Sequence, residues 1–227
     1  MYKSLINLFF PKVCAGCEAL LLEDENVICA HCRHEVPLTH QHLTADNEFY
    51  GKFYGKIPLE YASALLYFHK KGIVQELIHQ LKYKGHQEIG TAIGQWYGAE
   101  LKTVKTIQTV DHIIPVPLHA KKLRQRGYNQ VSTFGKALSE ALEIPLEENI
   151  LDRILYSKTQ TSKSIENRTA LSENIFQATF DERHLNKHFL LIDDVITTGS
   201  TLEACAHALL KIPGSKISMV CMAMSQS

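Results

Sequence analysis

Two adjacent carboxylates, Asp193 and Asp194, follow a short apolar run and are followed within three residues by Thr197, Thr198, Gly199, Ser200 and Thr201, all in the stretch FLLIDDVITTGST. Phe189 to Ile192 is the continuous apolar run of a buried parallel strand. Leu202 to Ile212 carries helical spacing (Leu202, Cys205, Ala206, Leu209, Leu210) and stops before Pro213-Gly214. The stretch is read as a strand stopped by two acids, then a small-residue turn, then a helix. A helix N-terminus has unpaired N–H groups and partial positive charge, which suits an anion. Small residues let the backbone approach a phosphate closely, and the hydroxyls of Thr197, Thr198, Ser200 and Thr201 add donors. The carboxylates would repel that phosphate, so they must face sugar hydroxyls or a metal. A ligand with a 5-phosphate and a ribose diol satisfies both halves. No Gly-Lys-Ser/Thr and no G-x-G-x-x-G occurs here, which excludes the Walker A and dinucleotide loops. The bland alternative is a strand–turn–helix with a Ser/Thr N-cap and exposed acids.

The second constellation is Cys14-x-x-Cys17 and Cys29-x-x-Cys32, two knuckles with eleven residues between them. Four thiolates at this spacing complete a tetrahedral shell and point to structural zinc, with a redox dithiol or free thiols as the competing readings. His31 and His34 could substitute as ligands, but the four cysteines already suffice. So small a segment cannot bury enough apolar surface to hold itself, whereas structural zinc contributes about 10–16 kcal/mol in isolated peptides. Reduced thiols fit the cytoplasm.

Cations form the third group. Lys121, Lys122, Arg124 and Arg126 precede Gly127-Tyr128-Asn129-Gln130 in PVPLHAKKLRQRGYNQ. That density suggests contact with polyphosphate or a nucleic-acid backbone, against the alternative of an exposed basic helix start. Lys82 to His86 is a second basic turn. Lys158 to Arg168 is polar and cationic, and could fold over a bound substrate or be an ordinary loop. The 227 residues hold 24 basic and 24 acidic side chains, so the whole molecule does not attract polyanions. No apolar run reaches bilayer length, and the first fourteen residues lack a signal-peptide cleavage site, so neither membrane insertion nor export is expected.

Together K-Y-K-G-H, P-V-P-L-H…R-x-R-G-Y-N-Q, T-Q…R…N-x-F, L-I-D-D-V-x-T-T-G-S-T and the double C-x-x-C resemble the ComF family of competence-associated, phosphoribosyltransferase-like proteins over nearly the whole chain. The acidic loop resembles the phosphoribosyl pyrophosphate (PRPP) loop of type I phosphoribosyltransferases. The resemblance implies a type I phosphoribosyltransferase fold with an N-terminal zinc module. It implies that Asp193 and Asp194 hold the ribose hydroxyls, that Thr197, Thr198, Gly199, Ser200 and Thr201 hold the 5-phosphate, and that Lys82, Tyr83, Lys84 and Gly85 form the pyrophosphate loop. Residues 158–168 would be the mobile loop. Mg²⁺ would bridge ribose and pyrophosphate oxygens, with Lys84 and Arg168 as catalytic helpers beside the two acids. A second implied function is single-stranded DNA binding in natural transformation, near a helicase and recombination factors, through Lys121, Lys122, Arg124, Arg126, Asn129 and Gln130. A third is a PRPP-sensing regulator without turnover.

The elements that must position these groups alternate. Strands are expected at 62–68, 111–117, 189–192 and 217–224, a hairpin strand within 171–180, and helices at 73–83, 88–101, 130–142 and 202–212. Residues 5–13 suggest a short apolar helix or turn. The alternation implies an α/β fold with a mostly parallel sheet, whose ligands sit outside the carboxyl ends of the strands. That rule gathers Asp193, Asp194, the turn to Thr201, and the loops after Phe68 and Pro117 around one crevice. The chain divides into a zinc module (1–40), a linker (41–60) and the transferase-like domain (61–227). The linker aromatics Phe49, Tyr50, Phe53 and Tyr54 are expected to pack onto the body rather than stack on bases, and Cys205 and Cys221 to be core.

Overall fold

In the computed structural model, residues 11–154 and 175–226 are described. The elements in order are α1 (Ala30–Glu35), α2 (Glu48–Gly51), β1 (Leu59–Phe68), α3 (Ile73–Tyr83), α4 (Glu88–Leu101), β2 (His112–Pro115), α5 (Ala120–Arg126), α6 (Gln130–Leu142), β3 (Leu151–Arg153), β4 (Phe176–Ala178), β5 (His188–Ile196), α7 (Ser200–Leu209) and β6 (Lys216–Ser225). The main sheet has order β1-β6-β5-β2 and every pairing in it is parallel; β3 and β4 form a separate antiparallel pair. Helices 73–83, 88–101 and 130–142 and the strand within 171–180 stand where the sequence puts them. Residues 5–10 and 158–168, including Arg168, lie outside the described residues.

One boundary needs correction. Asp193 and Asp194 do not stop the strand: β5 runs through them to Ile196. This matters because side chains alternate across a strand. Leu190 and Ile192 join the core under α3, α4 and α6, whereas Phe189 and Leu191 join the core under α7. The two acids therefore leave β5 toward opposite faces. β5 and β6 are buried along nearly all their length, as parallel strands covered on both sides must be.

The expected linker is folded onto the body. Phe49 and Phe53 are buried in the core under α7, Gln41 accepts from the Ala64 N–H (3.1 Å), and Asn47 both caps α2 and donates to the Ala62 carbonyl (2.8 Å). Tyr54 alone of the four aromatics is exposed. The cysteine module also joins the body: Ala15 and Val36 enter the core under α3 and α4, Gln80 donates to the Ala15 carbonyl (2.9 Å), and the Arg33 guanidinium lies 4.9 Å over Trp96. Among the described residues, no helix is long and apolar enough to cross a membrane.

Helices α4 and α6 approach so closely that Gly90, Gly94 and Gly98, one turn apart, face α6 without side chains. A β-carbon at Gly94 would lie 2.7 Å from Ala137 Cβ and 2.8 Å from the Phe134 carbonyl oxygen, which is backbone and cannot turn aside. Gly94→Ala should therefore destabilise the protein by about 1–3 kcal/mol through overpacking. The check is a urea midpoint that falls while the slope stays constant.

Candidate ligand crevice and metal centre

Beyond Ile196 the chain turns through Thr197, Thr198 and Gly199 into α7. Gly199 takes the left-handed conformation (φ 84°), and a β-carbon there would lie 2.8 Å from Phe53 Cζ, so both backbone and space require glycine. Gly199 gives α7 no side-chain cap, the Thr198 hydroxyl reaches the Ser200 N–H only at 3.5 Å, and the side chains of Thr197, Thr198, Ser200 and Thr201 are exposed around the first turn. These residues and Asp193 line one small pocket of about 40 Å³. The uncapped N–H groups and the hydroxyls converge there, the chemistry an anionic group needs. Sequence spacing carried no sign that Phe53, nearly 150 positions upstream, would brace this turn. Lys56, in the same segment, meets Glu203 of α7 at 3.6 Å.

Asp193 is half-buried and its Oδ1 accepts the next backbone N–H, that of Asp194, at 2.8 Å. Burial first, and the Asp194 charge second, hold its carboxyl well above the usual carboxylate range, with Lys82 and Lys122 pulling weakly the other way. Among the described residues Asp193 has no salt bridge. Asp194 is only 5% exposed and has two partners: Lys82 Nζ donates to Oδ1 at 2.8 Å and Gln130 Nε2 to Oδ2 at 2.6 Å.

Gln130 in turn accepts from Arg126 Nη1 (2.7 Å), and Arg126 lies 4.8 Å over the Tyr83 ring while donating to its hydroxyl (3.2 Å). The Tyr128 hydroxyl donates to the Leu81 carbonyl. Asn129 caps α6 and donates to the Val116 carbonyl (3.1 Å), and Gly127 ends α5 with φ 78°. The R-G-Y-N-Q block is thus turned inward, tying the end of α3 to β5 and β2. Of the expected nucleic-acid or phosphate contacts, Gln130 is buried on Asp194 and Asn129 bonds backbone groups. Lys121, Lys122 and Arg124 stay exposed on α5, a helix with no buried residue.

The basic turn after α3 divides similarly. Lys82 reaches the acids, but Lys84 pairs with Glu76 (3.4 Å) and lines a different hollow, beside Cys14, Ala15, His86 and Glu88. A role for Lys84 beside Asp193 and Asp194 is therefore not what the geometry places; Lys82 occupies that position. Tyr83 is exposed on the turn, and Gly85 has φ 81°.

The four cysteines of the knuckles converge, their sulfurs all within 4.8 Å of one another, with Cys17 and Cys29 sulfurs 3.7 Å apart. Zinc–sulfur bonds of about 2.3 Å in a tetrahedron place sulfurs about 3.8 Å apart, so the set fits zinc. Burial opposes ionisation of Cys14, yet backbone N–H groups of Cys29, Gly16 and Cys17 outweigh it and bring the thiol down to about 7. His31 and His34 are exposed and stand outside the cluster.

Residues 132–226 match the phosphoribosyl transferase domain family. The chain is 26% identical to competence protein F of Haemophilus influenzae over 90% of its own length and 93% of that protein's. It is 27% identical to DNA utilization protein YhgH of Escherichia coli K12 (92% and 89% covered) and 26% identical to competence protein ComFC of Bacillus subtilis (88% and 78% covered).

Two outcomes follow from the site. A carboxyl whose folded pKa is raised favours folding while protonated and loses that contribution as pH rises from the unfolded carboxylate range toward the folded value. Asp193→Asn should therefore match the wild-type melting temperature near pH 4 and exceed it near pH 8, by about 2–4 °C per kcal/mol relieved; melting curves across pH check this. Metal analysis should find one zinc per chain. A strong chelator, or Cys32→Ser, should change the fluorescence of Trp96, the single tryptophan, by loosening Arg33 from its ring.

Proposed function

We propose, from the premise that this chain is a homologue of the ComF competence proteins and carries a phosphoribosyltransferase domain, that the crevice at the carboxyl end of β5 binds PRPP with Mg²⁺. The observation that carries the reading is the pairing, in one pocket, of an uncapped, hydroxyl-rich helix start with the Asp193 carboxylate. The turn from Thr197 to Thr201 holds the 5-phosphate through N–H and hydroxyl donors. Asp193 accepts from the ribose hydroxyls, and Lys82 and the turn to Gly85 meet the diphosphate. Asp193, a half-buried carboxylate with no cation beside it among the described residues, fits a site that Mg²⁺ completes. Held there by Asp193, that ion would supply neutralisation of the charge that develops on the leaving pyrophosphate.

The reaction such a site supports is transfer of ribosyl phosphate. The bond from C1 to the pyrophosphate oxygen breaks, a bond from C1 to an acceptor nitrogen forms, and the nitrogen loses its proton. The transition state resembles an oxocarbenium ion, so no protein nucleophile is needed. The chain contributes alignment and electrostatic stabilisation of the leaving group. Each charge-assisted hydrogen bond in that role is worth roughly 1.5–3 kcal/mol. Pyrophosphate release from PRPP, measured with a panel of bases, separates a transferase from a sensor that binds without turnover.

A second reading, single-stranded DNA binding, is favoured by one feature: Lys121, Lys122 and Arg124 project from an α5 that buries nothing. Relatives named for competence and DNA utilization agree with a role in DNA uptake. The site would be a local patch on a neutral molecule, and binding would fall steeply with salt.

Asp193→Asn combined with Asp194→Asn should abolish PRPP binding in calorimetry while the fold persists; unchanged affinity would remove both acids from the site. Charge reversal at Lys121, Lys122 and Arg124 should abolish salt-dependent binding of single-stranded DNA. Salt-insensitive or absent DNA binding in the wild type would retire the second reading.

A further inference from the structure

Asp194 is nearly closed to a sugar in the arrangement observed: each oxygen already accepts one donor, and little of the residue reaches solvent. Lys82 Nζ occupies Oδ1 at 2.8 Å, Gln130 Nε2 occupies Oδ2 at 2.6 Å, and the residue is 5% exposed. The two partners differ in how readily they can leave. Gln130 is itself buried, and its amide orientation is locked because Oε1 accepts from Arg126, whose guanidinium lies on Tyr83. Withdrawing it would strand a buried amide and break the part-buried bond from Arg126. Lys82 sits in the last turn of α3, its side chain 20% exposed, on a flexible four-carbon stem beside the exposed turn at Lys84 and Gly85. An anion arriving at that turn offers its ammonium an equivalent partner.

We propose that Gln130, braced by Arg126 and Tyr83, is a fixed positioning residue for Asp194, and that Lys82 is a removable one: a diphosphate at the α3 turn draws Lys82 off Oδ1, and the oxygen so bared accepts a sugar hydroxyl. The proposal rests on the PRPP reading and deepens it by coupling the two ends of the ligand. Each end of the site then favours occupation of the other, and linkage makes the effect reciprocal. The exchange needs no backbone movement, only rotation of one lysine side chain. It also accounts for a lysine–carboxylate contact beside the exposed α3 turn: unliganded, the lysine neutralises the acid, and liganded, it serves the anion.

The test titrates Mg-pyrophosphate and ribose 5-phosphate, separately and together, into the full chain by calorimetry. In the wild type each ligand should tighten the other by about 5- to 150-fold, the usual span of site-to-site coupling. In Lys82→Met, ribose 5-phosphate alone should bind more tightly than to the wild type, and pyrophosphate should no longer change its affinity. In Gln130→Leu, ribose 5-phosphate should bind more weakly with or without pyrophosphate while the coupling persists. Coupling that survives Lys82→Met would assign it to a bridging metal and overturn the proposal. Independent binding of the two ligands to the wild type would overturn it without recourse to any variant. A wild type that binds neither ligand would retire the PRPP reading itself, and this inference with it.

Discussion

A buried carboxylate at the end of a parallel strand is the constraint on which the rest of this site depends. Asp194 sits where β5 is covered on both faces, so its charge has little water to stabilise it and must be answered by donors from the protein. The answer comes from Lys82 at the end of α3 and Gln130 at the start of α6. Three elements distant in sequence are thereby tied at one point. Gln130 needs Arg126 to hold its amide, Arg126 needs Tyr83 beneath it, and the Tyr128 hydroxyl fastens the same block to the last turn of α3. The last part of a segment dense in cation, Arg126 to Gln130, is in this way turned to internal bonding.

Asp193 is the counterpart on the other face. It has burial without a matching cation, and its ionisation is correspondingly disfavoured. Such a group costs stability in the unliganded protein and is retained where binding needs it. The turn that follows shows the same tension: Gly199 is wedged between a left-handed backbone and the Phe53 ring, while the first turn of α7 is left without a side-chain cap. Acid and helix start are both incompletely satisfied, and they line the same pocket.

The N-terminal third frames this crevice. The segment around Phe53 packs under α7 and braces the glycine turn, and the cysteine knuckles dock on α3 and α4 through Ala15, Gln80 and the Arg33–Trp96 contact. Because Lys82 lies in the last turn of α3, whatever steadies the start of that helix also steadies the partner of Asp194. Gly16 lies against Ile73, the first residue of α3, close enough that a β-carbon would sit 2.9 Å from it. The cysteine knuckles and Lys82 thus share one helix.

The sequence alone determined the features that depend on neighbouring residues. The strand–turn–helix around Asp193 and Asp194, the two cysteine knuckles and the three long helices were legible, because period, capping and ligand spacing are local properties. Tertiary structure decided everything that depends on which face a side chain takes and what meets it there. Reading the acids as the end of their strand concealed that they part to opposite faces; composition could not separate Lys82 from Lys84, or an inward Gln130 from an outward Lys121. Those distinctions arise from contacts between residues tens to more than a hundred positions apart, and no local pattern encodes which distant partner a buried charge will find.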